Sequence, residues 1–209
     1  MEHLTILHWF TKYSFVCIPV LAFLLDLLIG DPNSKYHPVA IIGRIIYFFE
    51  AVLYKDTDND TKKLWYGGIA VGLILVSVYI VVSLILWLGG VVDEWVEYAL
   101  EVIILYIAIS PRSLAGAGFT ISQLIKQDNI VEARKRLSWI VGRDTEELDE
   151  SEITRATVET IAENTVDGII APLFFFIIGG PMGAILYRTA NTMDSMLGYK
   201  NQKYLYFGR

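Results

Sequence analysis

A chain of 209 residues that is 54% hydrophobic and only 19% charged, with a mean hydropathy of +0.47, is more apolar than a soluble domain of that size. Its net charge of −6 argues against a nucleic-acid partner, because phosphate binding needs a basic face. The single cysteine, Cys17, excludes an internal disulfide and a CxxC motif, and His3, His8 and His37 lack zinc-ligand spacing.

In chain order, residues 14–30 form the first apolar segment, long enough to enter a bilayer and interrupted by Asp26. The loop GDPNSKYHP at 30–38 then breaks the chain twice, at Asp31-Pro32 and at His37-Pro38. Asp31, Lys35 and His37 could orient a phosphate or carboxylate, although an ordinary connecting loop explains the same residues. Residues 39–53 are apolar but carry Arg44 and Glu50, and their length fits an interfacial or re-entrant helix. The strongest span is 68–90, which is uncharged. A tight turn at 91–94 leads into 95–110, which carries Glu97 and Glu101. Lys55, Lys62, Lys63 and the cations between Arg112 and Arg155 place 54–66 and 112–168 in the cytoplasm and 91–94 outside.

Residues 112–168 read as a helical insert. Leu114, Ala117, Ile121, Leu124 and Ile125 recur at helical spacing. Asn129 with Glu132 opens a helix expected to stop at Gly142, and Asp149 with Glu152 opens another through about Asp167. On that second helix Arg155, Glu159, Glu163 and Asp167 recur every four residues, with Asn164 beside them. A solvated face is the plainer explanation. Yet carboxylates in a row repel one another, and this row runs into the apolar stretch 169–178, where Mg²⁺ or a cationic ligand would relieve the repulsion. Gly179-Gly180-Pro181 then interrupts the apolar run. Broken helices at membrane depth line a site or cavity, although glycines also ease helix packing. Segment 169–190 is thus expected to be re-entrant or kinked. Directly after it, Asn191, Asp194, Ser195 and Lys200 offer amide, carboxylate, hydroxyl and ammonium groups, and Arg112 with Ser113 offers a similar set. No P-loop, complete dinucleotide fingerprint or nucleophile elbow occurs. The expected fold is all-α: a polytopic helical membrane protein with membrane helices over 1–111, a helical cytoplasmic insert over 112–168, and a broken membrane segment with a motif loop over 169–209.

The blocks GDP…HPV (30–39) with Ile42-Gly43-Arg44, RSL (112–114), LSWIVGRDTEEL (137–148), ETIAENTVDGIIAPLF (159–174) and YRTANTMDSMLGYKNQKYLYFG (187–208) resemble the adenosylcobinamide-phosphate synthase family of cobalamin biosynthesis. The resemblance runs from about Ala22 to the end. It implies a multi-pass enzyme of the cell (inner) membrane, active on the cytoplasmic face. Such an enzyme joins aminopropanol, or its phosphate, by an amide bond to a side-chain carboxylate of adenosylcobyric acid, a corrinoid, with ATP and Mg²⁺. Placed on the matching positions, Glu159, Glu163, Asp167 and Asp194 would be the catalytic carboxylates, the first three also metal ligands. Asp31, His37, Arg112, Ser113, Arg143, Asn164, Asn191, Ser195 and Lys200 would bind substrate. Members of that family continue past Gly208 into another acidic motif and further apolar segments. The resemblance therefore implies a truncated or split member, a homo-oligomer, or a chain that needs a C-terminal partner. The alternatives are a transporter using Asp26, Glu97, Glu101 and the broken helix, and a non-catalytic membrane scaffold.

Overall fold

The computed structural model describes the backbone of residues 2–30, 37–199 and 201–208, and the side chains of the same residues from Thr11 onward. Eight α-helices form among them: α1 (Glu2–Ile29), α2 (Pro38–Leu53), α3 (Asp60–Val92), α4 (Glu94–Ala108), α5 (Pro111–Lys126), α6 (Ile130–Leu137), α7 (Glu150–Thr165) and α8 (Ala171–Leu197). A π-helical turn, Val166–Ile170, joins α7 to α8. Four stretches are long and apolar enough to cross a membrane: Thr11–Ile29, Asp60–Val92, Glu94–Lys126 and Glu150–Leu197.

α3 shows why the bundle forms. Its buried positions, Gly67, Ala70, Ile74, Val78 and Val82, recur every three or four residues and make one seam. Val76, Ile80 and Leu84 on its other faces stay exposed, as lipid-facing residues do. Trp65 and Trp87, both exposed, are 22 residues apart, or about 33 Å along a helix. That matches a hydrocarbon layer of about 30 Å with an aromatic residue at each interface. Asp93 ends α3, and its carboxylate accepts from the Trp95 amide at 2.8 Å to start α4, so the expected hairpin turns on one residue. α1 runs beside α4 in the same direction. The Tyr98 hydroxyl donates to Thr11 Oγ1 at 3.0 Å near one end, and the Tyr106 hydroxyl donates to the Gly30 carbonyl near the other.

α8 contains two limbs. Gly179 (φ −132°, ψ 18°) and Gly180 (φ 61°, ψ −156°) leave helical geometry, and Pro181 restarts the helix. Phe175 and Tyr187 are twelve residues apart and would lie about 18 Å apart on a straight helix. Instead their rings stack with centroids 4.9 Å apart. The segment therefore folds back as a re-entrant hairpin. A Cβ at Gly183 would overlap the Phe175 carbonyl, so glycine lets the limbs touch.

Three cores result. Ile46 of α2, Ile74 of α3 and Ile185 of the α8 return limb share one; Ala22 of α1, Leu105 of α4 and Phe176 of the α8 descending limb share another. These act through close packing, because lipid tails are as apolar as the side chains. The third lies among α5, α6 and α7, where Ile121, Leu137 and Ile153 are fully buried. Where water is the competing solvent, each such side chain contributes about 1.5–3 kcal/mol. α6 stops at Leu137, five residues before the expected Gly142. Ile140 packs on the third core, and the chain turns through 138–140 to bring it there, the Ile140 amide donating to the Leu137 carbonyl at 2.9 Å.

Candidate functional site

α7 starts on a complete capping box. Asp149 Oδ1 accepts from the Glu152 amide at 2.8 Å, and Glu152 Oε2 accepts from the Asp149 amide at 3.0 Å. Burial of Ile153, Ala156 and Thr160 on the inner side leaves the acidic row on the outer face. Glu159 and Glu163 lie exposed on it, while Thr157 and Thr160 are buried. The π turn then adds residues to the helical repeat and rotates everything after it. Asp167 leaves the row and faces the return limb, where the Tyr187 hydroxyl donates to it at 3.4 Å. Glu159 is engaged by Arg143 of the 138–149 loop, Nη2 to Oε2 at 3.1 Å. The three carboxylates offered as metal ligands border one cavity without clustering into a ligand set. Among the described residues no three His, Cys, Asp or Glu side chains are placed to hold a metal ion. The donor set does not fit a protein-built Mg²⁺ cage.

Two adjoining cavities, about 690 and about 340 Å³, lie between the insert and the hairpin. They share a wall of residues 140–142, Glu163, Asn164, Asp194 and Ser195. The smaller adds Arg143, Glu159, Asp167 and Asn191; the larger adds Ser113, Trp139, Gly168 and Arg188. Side chains from four sequence blocks thus meet because the hairpin returns the chain to the end of α7. Some of their groups are already used locally. Asn164 Nδ2 donates to the Thr160 carbonyl at 2.9 Å, and Ser195 Oγ donates to the Asn191 carbonyl at 2.9 Å. An apolar groove of about 600 Å³ between α5 and α7, with Ile121, Ile125 and Val158 on its walls, has no carboxylate and is no candidate for acid–base chemistry.

Other expected site residues lie elsewhere. Arg112 staples α1 to α5: its Nη1 donates to the carbonyls of Leu27 at 3.0 Å and Leu28 at 2.7 Å, at the electronegative end of α1. Its amide donates to Asp26 Oδ2 at 2.7 Å, so Asp26 caps α5. His37 is the N-cap of α2, its Nδ1 accepting from the Val39 amide at 3.3 Å. Asp31 and Lys200 lie outside the described residues. Sequence reasoning missed Arg188, Ser110 and Trp139. For Arg188 a signal existed: Arg188, Asn191 and Ser195 are spaced three and four apart and so share a helix face.

Membrane-length helices around a polar two-chambered cleft, walled by a re-entrant hairpin and a separately packed insert, define a polytopic membrane protein with a built polar site. A family model described as CobD/Cbib protein matches residues 19–209, and the chain belongs to that family. All the motif blocks lie within the matched residues. The chain is 44% identical over 190 residues to the cobalamin biosynthesis protein CobD of Clostridium tetani, covering 90% of this chain and 59% of the relative. It is 40% identical over 205 residues to the cobalamin biosynthesis protein CbiB of Salmonella typhimurium, covering 98% and 61%. A CobD of Clostridium perfringens is 44% identical over 190 residues, covering 90% and 59%. The chain thus spans about three fifths of the length of these curated relatives. No solved structure matches it.

Proposed function

We propose that this chain serves cobalamin biosynthesis and carries the cleft in which aminopropanol, or its phosphate, is joined by an amide bond to a side-chain carboxylate of adenosylcobyric acid. The observation that carries the reading is the convergence of Ser113, Arg143, Glu163, Asn164, Asp194 and Ser195, from distant blocks, on two adjoining cavities. The names of the relatives support the pathway.

A carboxylate and an amine form a salt rather than an amide, so the carboxylate needs activation. ATP, when bound, supplies a phosphoryl group that converts the carboxylate to an acyl phosphate and leaves as ADP. The amine nitrogen then attacks the carbonyl carbon, the new C–N bond forms, phosphate departs and the nitrogen loses a proton. Glu163 on α7 and Asp194 on the return limb are exposed on two walls of the cleft, where one can take the proton that turns the bound ammonium into the attacking amine and the other the proton released as the amide forms. Arg143, fixed by Glu159, supplies a cation for the charge that develops on the transferred group. Asn164, Asn191 and Ser195 orient the substrates by hydrogen bonds, and Asp31 and Lys200 remain proposed contacts. The cytoplasmic face of the cell membrane is the proposed side, because ATP is there.

The transporter reading is weakened by Asp26, which serves the start of α5 rather than a path through the bundle. The test incubates adenosylcobyric acid, aminopropanol phosphate and MgATP with the purified chain, alone and with the C-terminal portion of the Salmonella typhimurium relative. Mass spectrometry should find the corrinoid heavier by the condensed amine, and ADP in equal amount. Binding of both substrates without product in either arrangement would favour a scaffold or carrier and sink the ligase proposal.

A further inference from the structure

The larger cavity differs from one end to the other. Its carboxylates, Glu163 and Asp194, are exposed, whereas Arg188 enters from the return limb with its Nε fully buried. Arg188 is the one cationic side chain among the described residues that line this cavity. Arg188 lies within a stretch long and apolar enough to cross a membrane, where an arginine is costly and marks a functional contact more often than a surface charge does. Two further features place polar hydrogen donors beside it. Ser110 occupies the N-cap of α5 but makes no side-chain capping bond, and its amide donates to the Gly168 carbonyl at 3.1 Å. Gly168 sits buried between the two: a Cβ built there would lie 3.1 Å from Ser110 Oγ and 3.8 Å from Arg188 Nη1. The hydroxyl and the guanidinium thus flank the same side-chain-free spot on the π turn.

We infer that Arg188 and the Ser110 hydroxyl form an oxyanion subsite at the floor of the larger cavity, which takes a phosphate or carboxylate group. A guanidinium and a hydroxyl both donate, and such an anion accepts from both at once. The acidic mouth and cationic floor would orient a ligand bearing an ammonium at one end and an oxyanion at the other. The inference rests on this cleft being the substrate site, but it is testable without turnover.

The full chain in phosphatidylcholine nanodiscs is titrated calorimetrically with inorganic phosphate and, separately, with acetate. Saturable binding of at least one is expected. Arg188→Gln should weaken it roughly ten-fold or more, the loss of one charge-assisted contact, and Arg188→Lys should weaken it less. Gly168→Ala should weaken it as well, while Lys62→Gln, outside the cavity, should not. As a check independent of variant folding, phosphate should protect Arg188 of the unaltered protein from phenylglyoxal, read by peptide mass spectrometry. Loss of phosphate binding only in phosphatidylglycerol nanodiscs would assign the same subsite to a lipid headgroup. No saturable binding of either anion, or a folded Arg188→Gln that binds as the parent does, overturns the inference. A protein that binds phosphate through Arg188 yet makes no amide keeps the subsite and loses the ligase proposal. Amide formation with unchanged KM in Arg188→Gln does the reverse.

Discussion

Asp26 is 1% exposed in an apolar helix because the start of α5 has amides that need an acceptor there. Truncation leaves the Arg112 amide without that partner, so Asp26→Ala should cost about 1–3 kcal/mol in thermal unfolding in detergent. Asp26→Asn, which keeps an acceptor, should cost less, and equal losses would contradict the capping role. Arg112 illustrates what a sequence hides. A cation beside a serine at a helix start reads as a phosphate clamp, but its partners are carbonyls 84 and 85 residues earlier in the chain. Only the packing of α1 on α5 brings them together. Arg188 shows the reverse: its spacing with Asn191 and Ser195 marks a shared helix face, but only the folded hairpin brings it beside Gly168.

At the scale of elements, the hairpin was legible as a break and not as a reversal. Gly-Gly-Pro announces that the helix ends, but the direction of the return depends on Gly180 adopting φ 61° and ψ −156°, a region almost confined to glycine. Gly180→Ala should therefore destabilise the fold by about 1–3 kcal/mol and loosen the cleft, measured as a lower melting temperature and faster proteolysis near 179–181. A melting temperature equal to that of the parent would mean the turn is not strained by a side chain. α2 is tied to the C-terminal turn by another feature that periodicity does not reveal. Glu50 is buried in α2 and its Oε1 accepts from Lys203 Nζ at 2.6 Å and from the Tyr204 hydroxyl at 2.8 Å. The hydrogen bond to Glu50 holds the Lys203 ammonium well above its ordinary value, and burial raises the Tyr204 phenol. A raised folded value means that the Lys203 contribution is complete below the ordinary lysine range and is lost as pH rises through the folded value. Thermal stability should thus be flat through neutral pH and fall in strongly alkaline solution, with a smaller fall in Lys203→Met. An identical alkaline profile in that variant would contradict a stabilising role for the clasp.

For the molecule as a whole, hydropathy and charge made the membrane class readable, since α3 alone combines a lipid-facing surface, a buried apolar seam and an interfacial tryptophan at each end. The starts of α6 and α7 were readable from their caps. What could not be read was the meeting of insert and hairpin, because it depends on the π turn rotating Asp167 out of the acidic row and on the 138–149 loop reaching Glu159. The arrangement predicts sidedness. With Cys17 replaced by Ser, Lys63→Cys and Asp144→Cys should react with an impermeant thiol reagent from the same side of sealed vesicles, and Asp93→Cys from the other. Labelling of Asp93→Cys together with Asp144→Cys would contradict it. The central claim is that this cleft makes the amide with Glu163 as a proton-accepting carboxylate. Its most direct test is side-by-side turnover of the parent and Glu163→Gln in the mass-spectrometric assay. A loss of about 10²-fold or more, with both substrates still bound, is the predicted result, in line with the usual contribution of a general base. Equal turnover by a folded Glu163→Gln would contradict the claim.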